Sequence, residues 1–342
     1  MKTPPPGLPT IEAVAAAAGV STATVSRTLN RPGAVSEALR RRVEQAVAAL
    51  GYLPNAGARS MMLGRSGTIG AIFPTVDNAI FAKAIDALQG RLSEAGQQLL
   101  IATSNYDADV EMRQAVNLVA RGADGLALCG AGQRPELLAF LRQRRLPCVH
   151  VMSLAHDPLM SSVGFDNAGA MARVVRYLLD LGHRRIAMLA GVTAANDRAA
   201  ARVQGVREAL RKAGIDLPAA RLVERRYGIA AARDGFATLV AVRPAPTAIV
   251  CGNDVLAFGA LLEAQRLGIE VPKSLSIVGF DDLELANQLA PPLTTVQVPT
   301  ESMWRLAADR LMTALRGDAA PERTVLDVQL VVRGSTGPPP RR

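Results

Sequence analysis

Two sets of side chains in this 342-residue sequence are spaced for chemistry. The first lies in Thr10–Asn30, TIEAVAAAAGVSTATVSRTLN. Ile11, Val14, Ala15 and Ala18 recur at three- and four-residue spacing and share one helical face. Gly19 falls where that helix must end in a left-handed residue. Thr10 and Ser21 are placed to cap the two helices it separates. With Val25 and Leu29 turned inward, Ser21, Thr22, Ala23, Thr24, Ser26 and Arg27 occupy the outer face or leading end of the second helix. Hydroxyls suit phosphates and some base edges, and an arginine can grip guanine O6 and N7 at once. The same pattern also occurs in helical bundles that touch no DNA.

The second set consists of polar pairs, each just after an apolar run: Asp77–Asn78, Asp166–Asn167, Asn253–Asp254 and Asp281–Asp282. Each pair alone reads as a turn or a helix cap. Four of them at equivalent strand ends would face one cleft and favour a polar ligand.

The elements that must position these groups follow from the hydropathy pattern. A third helix is expected after Ser36, with Leu39, Val43, Val47 and Leu50 on one face and a stop at Gly51. Beyond Gly67, apolar runs at Thr68–Phe73, Gln98–Thr103, Gly125–Leu128 and Pro147–Val151 read as buried parallel strands. Between them lie helices such as Ile80–Ala95 and Glu111–Arg121. A second series is expected at Ser162–Phe165, Arg185–Ala190, Arg221–Arg225, Thr247–Cys251 and Leu275–Gly279. Its helices include Gly169–Leu181, Ala199–Ala213 and Val255–Leu267. The fold class is therefore α/β behind an all-α helix-turn-helix domain. The body is a clamshell of two doubly wound parallel-sheet lobes, with a ligand at the strand carboxyl ends.

Charge separates the two parts. Residues 1–66 carry eight Lys/Arg against three Asp/Glu, which is +5 of the whole chain's +9. A basic excess confined to one small domain is the footprint of a phosphate partner.

Val20–Asn30, Val35–Ser36–Glu37 and GYLPNAGARSMMLGRSGTIGAIFP at Gly51–Pro74 resemble, in combination and order, the LacI/GalR family of bacterial transcriptional regulators. The resemblance runs to about Val332. It implies a homodimer on pseudo-palindromic double-stranded operator DNA, with a small hinge helix entering the central minor groove. Thr22, Ala23 and Arg27 then match base-reading positions. Ser21, Thr24, Ser26 and Asn30 match phosphate contacts or helix braces. Asn55, Ala58 and Arg59 fall in the hinge helix, and Met61 stands where the family usually has a leucine wedge. Gly57 weakens that helix by roughly 1 kcal/mol relative to alanine. Ala23 leaves only methyl contact with thymine for direct readout.

The resemblance also implies a periplasmic-binding-protein-like body holding a small effector. Ile80 and Phe81 match positions against the ligand, Arg202 the recurrent effector arginine, and Asn253 and Asp281 the residues that hold ligand hydroxyls. Asp77, Asn78, Phe165, Asp166 and Arg198 complete the expected effector set. Two arginines in the cleft would favour a sugar acid. The short VGFDN at Val163–Asn167 resembles the gluconate-responsive branch.

The expected domains are 1–54 for DNA binding, 55–66 for the hinge and 67–334 for the effector and dimerisation body. Lobe 1 spans about 67–161 and 292–322, lobe 2 about 162–291 and 323–334, and 335–342 is a disordered tail. No heptad pattern supports a tetramerisation helix there. The helix TESMWRLAADRLMTAL is expected to pack Trp304 on lobe 1.

Several classes drop out. No apolar run reaches the roughly 18 residues of a membrane span, and MKTPPPGLP has no signal-peptide core, so a cytoplasmic protein is expected. Cys129, Cys148 and Cys251 are far apart and odd in number. His150, His156 and His183 lack metal-ligand spacing. No histidine or cysteine sits beside an obvious partner for nucleophilic work, and no phosphate-cradling glycine loop follows a strand. No catalytic residue, cofactor or metal is expected. A freestanding sugar-binding or sugar-metabolising protein is the rival reading, and a regulator that needs its ligand as corepressor is another.

Overall fold

The structure, a computed structural model, describes residues 9–30, 32–53, 64–155, 157, 160–317 and 320–341. Asn55, Gly57, Ala58, Arg59 and Met61 of the expected hinge, and His156, lie outside them. The chain divides into two compact units, Met1–Ser66 and Gly67–Arg342.

In the first unit, α1 (Ile11–Ala18), α2 (Thr22–Asn30) and α3 (Glu37–Leu50) surround one small core. The Thr10 hydroxyl accepts the Ala13 N–H at 3.4 Å, and Gly19 leaves the helix with φ 61°. Ser36 caps α3 by accepting the Leu39 N–H at 3.4 Å. Val14, Ala15, Ala18, Val25, Val43 and Ala46 are buried against one another. Leu50 departs from expectation. It is 38% exposed in the last turn of α3, and Ala46 closes the core one turn earlier.

The second unit holds two parallel sheets. The first has the order β11-β5-β4-β3-β1-β2, made of Thr68–Phe73 (β1), Gln98–Thr103 (β2), Gly125–Cys129 (β3), Cys148–Val151 (β4), Ser161–Gly164 (β5) and Arg323–Val325 (β11). The second has the order β7-β6-β8-β9, from Ile186–Gly191 (β6), Leu222–Arg225 (β7), Ala248–Cys251 (β8) and Ser276–Val278 (β9). Thr295–Gln297 (β10) pairs antiparallel with Gln329–Val331 (β12), and bridges at Val278–Thr294 and Asp281–Gln297 tie β10 to the second sheet's edge. Trp304, on the helix Thr300–Arg316, is fully buried with its ring centroid 4.8 Å from that of Phe73 in β1. Among the described residues no helix is long and apolar enough to cross a membrane.

Two expectations are corrected. The strand expected to open the second series belongs to the first sheet: β5 pairs with β4 through Val149–Ser161 and Val151–Val163, and β11 adds to its far side. Parallel neighbours are usually joined through a helix, whereas residues 152–160 join β4 to β5 with none described, so the pattern read as a new series. The crossings between lobes accordingly follow Gly164 and Val325 rather than preceding them.

The expected tail is also ordered at its start. Ser335 is fully buried; its hydroxyl donates to the Ile277 carbonyl at 2.6 Å and accepts the Thr294 N–H at 2.8 Å. The Gly337 carbonyl takes a hydrogen bond from His183 Nε2 at 2.9 Å. Composition hid this, because backbone groups and one serine hydroxyl make the attachment.

Candidate functional site

On α2 the exposed residues are Ser21, just before it, and Thr22, Ala23 and Arg27. The Ser21 hydroxyl accepts the Thr24 N–H at 3.2 Å and lies 2.9 Å from the Thr24 hydroxyl, so both are engaged in the cap. Asn30 braces the helix instead of projecting: its Nδ2 donates to the Ser26 carbonyl at 2.9 Å. Thr28 is buried and donates to the Thr24 carbonyl at 2.8 Å. The exposed face left for a base edge is thus Thr22, Ala23 and Arg27.

In the second unit the strand ends carry helix caps that face a cleft between the sheets. Asn78, 7% exposed, caps Ala79–Glu94 (α4) by accepting the Ile80 N–H at 3.3 Å. Asn253, 2% exposed, caps Asp254–Arg266 by accepting the Leu256 N–H at 3.0 Å. Arg202 lies in the second turn of Asp197–Lys212 and is 4% exposed. Its Nε donates to Asn167 Oδ1 at 2.9 Å and its Nη1 to the Gly252 carbonyl at 2.8 Å. The guanidinium lies 3.7 Å over the Phe280 ring centroid, and Phe165 stacks on Phe280 at 6.0 Å. These contacts fix the arginine's plane, since a guanidinium is held both by hydrogen bonds at its edge and by an aromatic face.

Arg202 Nη2 sits 3.7 Å from Asp281 Oδ1, an ion pair too long for a hydrogen bond, and Asp281 Oδ1 is buried without a hydrogen-bond partner among the described residues. Burial pushes the Asp281 carboxyl up to about 6 against the pull of Arg202 and Arg198. Asp281 also holds φ 116°, a backbone position strained for a residue with a Cβ. Asp254 lies behind it and accepts the Leu283 N–H at 2.7 Å and the Thr295 hydroxyl at 2.6 Å. Burial, reinforced by Asp281, raises Asp254 to about 8.

Asn78, Ile80, Phe81, Arg198, Arg202, Asn253 and Asp281 line one inner cavity, together with Tyr106, Met152, Asn196 and Tyr227. Asp77 lines an adjoining outer cavity. Phe165 supports Phe280 from beneath, and Asp166 is exposed, capping Asn167–Asp180 through the Gly169 N–H at 2.9 Å. Neither lines the inner cavity. Tyr106 and Tyr227 are absent from the expected set, which rests on polar pairs and on positions matched to the family. Both follow strands (β2 and β7), so the strand-end rule applied without regard to polarity would have included them.

Residues 10–55 match the model of bacterial regulatory proteins of the lacI family, and residues 175–336 match a periplasmic binding protein-like domain. The chain is 33% identical over 336 residues to the HTH-type transcriptional regulator DegA of Bacillus subtilis, covering 96% of this chain and 98% of that protein. The chain belongs to the LacI family. It is a DNA-binding transcriptional regulator with an effector-binding body, as LacI-family relatives are. The HTH-type transcriptional regulator GntR of Pseudomonas aeruginosa is 31% identical over 332 residues, with 96% of each chain covered. The lac repressor dimer bound to operator and the anti-inducer ONPF superposes with a TM-score of 0.86 at 26% identity, covering 96% of this chain and 99% of that one.

Proposed function

We propose that this LacI-family regulator is a repressor that binds a pseudo-palindromic operator as a homodimer and is released by a small hydroxyl-rich effector, a sugar or sugar acid. The observation that carries the effector reading is the convergence of Asn78, Arg202, Asn253 and Asp281, all buried, on one cavity at the carboxyl ends of both sheets. Buried polar groups are costly unless paired, and the free oxygen of Asp281 suits a ligand hydroxyl. The solved lac repressor complex, which holds both operator and a small ligand, supports the same division of labour.

Release is a population shift. The effector favours one angle between the lobes, and the paired DNA-binding units lose the spacing that the operator needs. Moving such an equilibrium from 1:99 to 99:1 takes a preference of about 5.5 kcal/mol for one state.

A mobility shift on the gene's own upstream region tests the DNA half. The expected result is salt-dependent binding that Arg27→Ala weakens; unaltered binding by that variant would overturn the role of α2. Titrating the complex with sugars and sugar acids tests the effector half. Release supports the repressor reading, while tighter binding would make the ligand a corepressor.

A further inference from the structure

A groove of about 950 Å³ runs along the segments that join the two lobes, near the top of the roughly 300–1,000 Å³ of ligand pockets. Lys83 and Asp86 of α4 line it from lobe 1, residues 281–283 from lobe 2, and residues 297–302 with Asp327 and Gln329 from the crossings. Its charge runs against that of the chain, which is +9. Asp86, Asp281, Asp282, Glu301 and Asp327 stand against Lys83 and Arg305. Glu94 holds Arg305 Nη2 at 3.0 Å, and Arg333 holds Asp282 at 2.7 Å. Asp86, Glu301 and Asp327 are exposed and pair with no cation among the described residues. Asp281 is 5% exposed, and its Oδ1 has no hydrogen-bond partner among them.

We propose that this groove binds a linear organic polycation of the polyamine class. Its ammonium groups lie on the carboxylates, and its methylene stems lie on Ile80, Ala87, Val298 and Pro299. It is a second ligand position, independent of what fills the strand-end cleft.

The arrangement selects for length. Asp86, Glu301, Asp327 and the pair at 281–282 come from four separate stretches of chain. Among the described residues no three of His, Cys, Asp or Glu converge as the ligands of a metal ion would. The negative charge is therefore spread along the groove. A polyamine matches spread charge, because each ammonium offers only donors and each carboxylate only acceptors. Between its charges it carries methylenes, which cover apolar surface as a lysine stem does. Asp281 receives one ammonium, since a buried carboxylate oxygen without a donor is costly. Asp281 and Ile80 line the inner cavity as well. A carboxylate oxygen accepts more than one donor, so a polycation in the groove and an effector in the cleft can share Asp281.

Calorimetric titration of the full-length protein with spermidine and with Mg²⁺, at one ionic strength, tests this. Spermidine is expected to bind saturably and about tenfold or more tighter than Mg²⁺. Glu301→Gln with Asp327→Asn removes two exposed carboxylates that line the groove and not the inner cavity. This double variant is expected to weaken spermidine binding by about tenfold and to leave operator binding as it was. Glu136→Gln with Asp216→Asn alters two exposed acids elsewhere on the second unit and should leave spermidine binding unchanged. Four results would overturn the polycation site: no saturable binding, Mg²⁺ as tight as spermidine, full affinity in Glu301→Gln with Asp327→Asn, or an equal loss in both double variants. Each would leave the reading of the effector cleft standing, because neither Glu301 nor Asp327 lines it.

Discussion

Arg198 reaches across the cleft to donate from Nη1 to the Cys129 carbonyl at 3.1 Å. Beside it, Asp197 accepts the Ala131 N–H at 2.9 Å. Both partners lie in the segment that leaves β3, and glycine permits the approach: a Cβ on Gly130 would fall on Arg198 Nη1 and Asp197 Oδ1. Burial raises the Asp197 carboxyl, but Arg198, the Ser153 hydroxyl and the Ala131 N–H outweigh it and hold the group below its usual range. The pair is a charge-assisted latch between the lobes. Gly130→Ala is expected to open it, losing about 1.5–3 kcal/mol of charged hydrogen bonding and adding about 1–2 kcal/mol of left-handed strain at φ 93°. Urea denaturation should show the loss, and small-angle scattering should show a larger radius of gyration. An unchanged radius would count against the latch.

Arg202 carries a different burden, because four neighbours depend on it. Arg202→Lys keeps the charge but loses the planar fork that meets Asn167, Gly252 and the Phe280 face together. The variant is expected to bind operator normally and to lose its response to effector by about tenfold or more in a release titration. Arg202→Ala strands the buried Asp281 and should cost roughly 3–5 kcal/mol of stability, measurable by thermal or urea unfolding. A variant that loses operator binding without losing stability would contradict this division of roles.

These residues also show how far the sequence could be read. The first unit was legible because its information is local: Thr10, Gly19 and Ser36 act on neighbours within a few residues, and helical spacing marks Val14, Ala18 and Val25 as core. Arg202, Asn253 and Asp281, which the structure brings to one cavity, are singled out by the family resemblance and the strand-end rule. Tyr106 and Tyr227 each follow a strand and so could be listed from the sequence, but that their rings meet depends on the distance between lobes, which no spacing along the chain encodes. The lobe of the strand Ser161–Gly164 is not legible in the pattern, because sheet neighbours are a property of topology and residues 152–160 join it to β4 without the usual helix. Ser335 reads as tail in the sequence because a single serine closing two backbone hydrogen bonds leaves no periodicity.

The exposed leading end of α2 allows specificity to be changed without touching the fold. Ala23 is exposed and makes no contribution to the core of the first unit. Ala23→Gln adds a side chain able to pair with adenine N6 and N7, a contact of about 1–3 kcal/mol of discrimination. The expected outcome is a shifted preference at one base pair in each half-site, read by binding selection from randomised operators, with an unchanged melting temperature. Unaltered selection would place Ala23 away from the base edges. A matching loss at all sequences would point to a phosphate-facing position instead.

Asp281 predicts opposite pH trends for stability and for effector binding. Its carboxyl is raised by burial to about 6 in the folded protein, above the ordinary value of 3.8. A raised carboxyl contributes stability fully below the unfolded value, and that contribution is lost as pH rises through about 6. Asp254, raised to about 8 mainly by burial, extends the same trend upward. An effector hydroxyl that donates to Asp281 needs the carboxylate, so its affinity should rise over the range in which Asp281's own contribution to stability falls. Effector titrations between about pH 5 and pH 8 should therefore show weakening toward the acid side, by up to about tenfold per pH unit below about 6. Asp281→Asn should flatten that profile at a lower overall affinity. A profile in the intact protein as flat as that of Asp281→Asn would mean that the ligand leaves this carboxyl untouched, and that Arg202 and Asn253 anchor it from this side of the cleft.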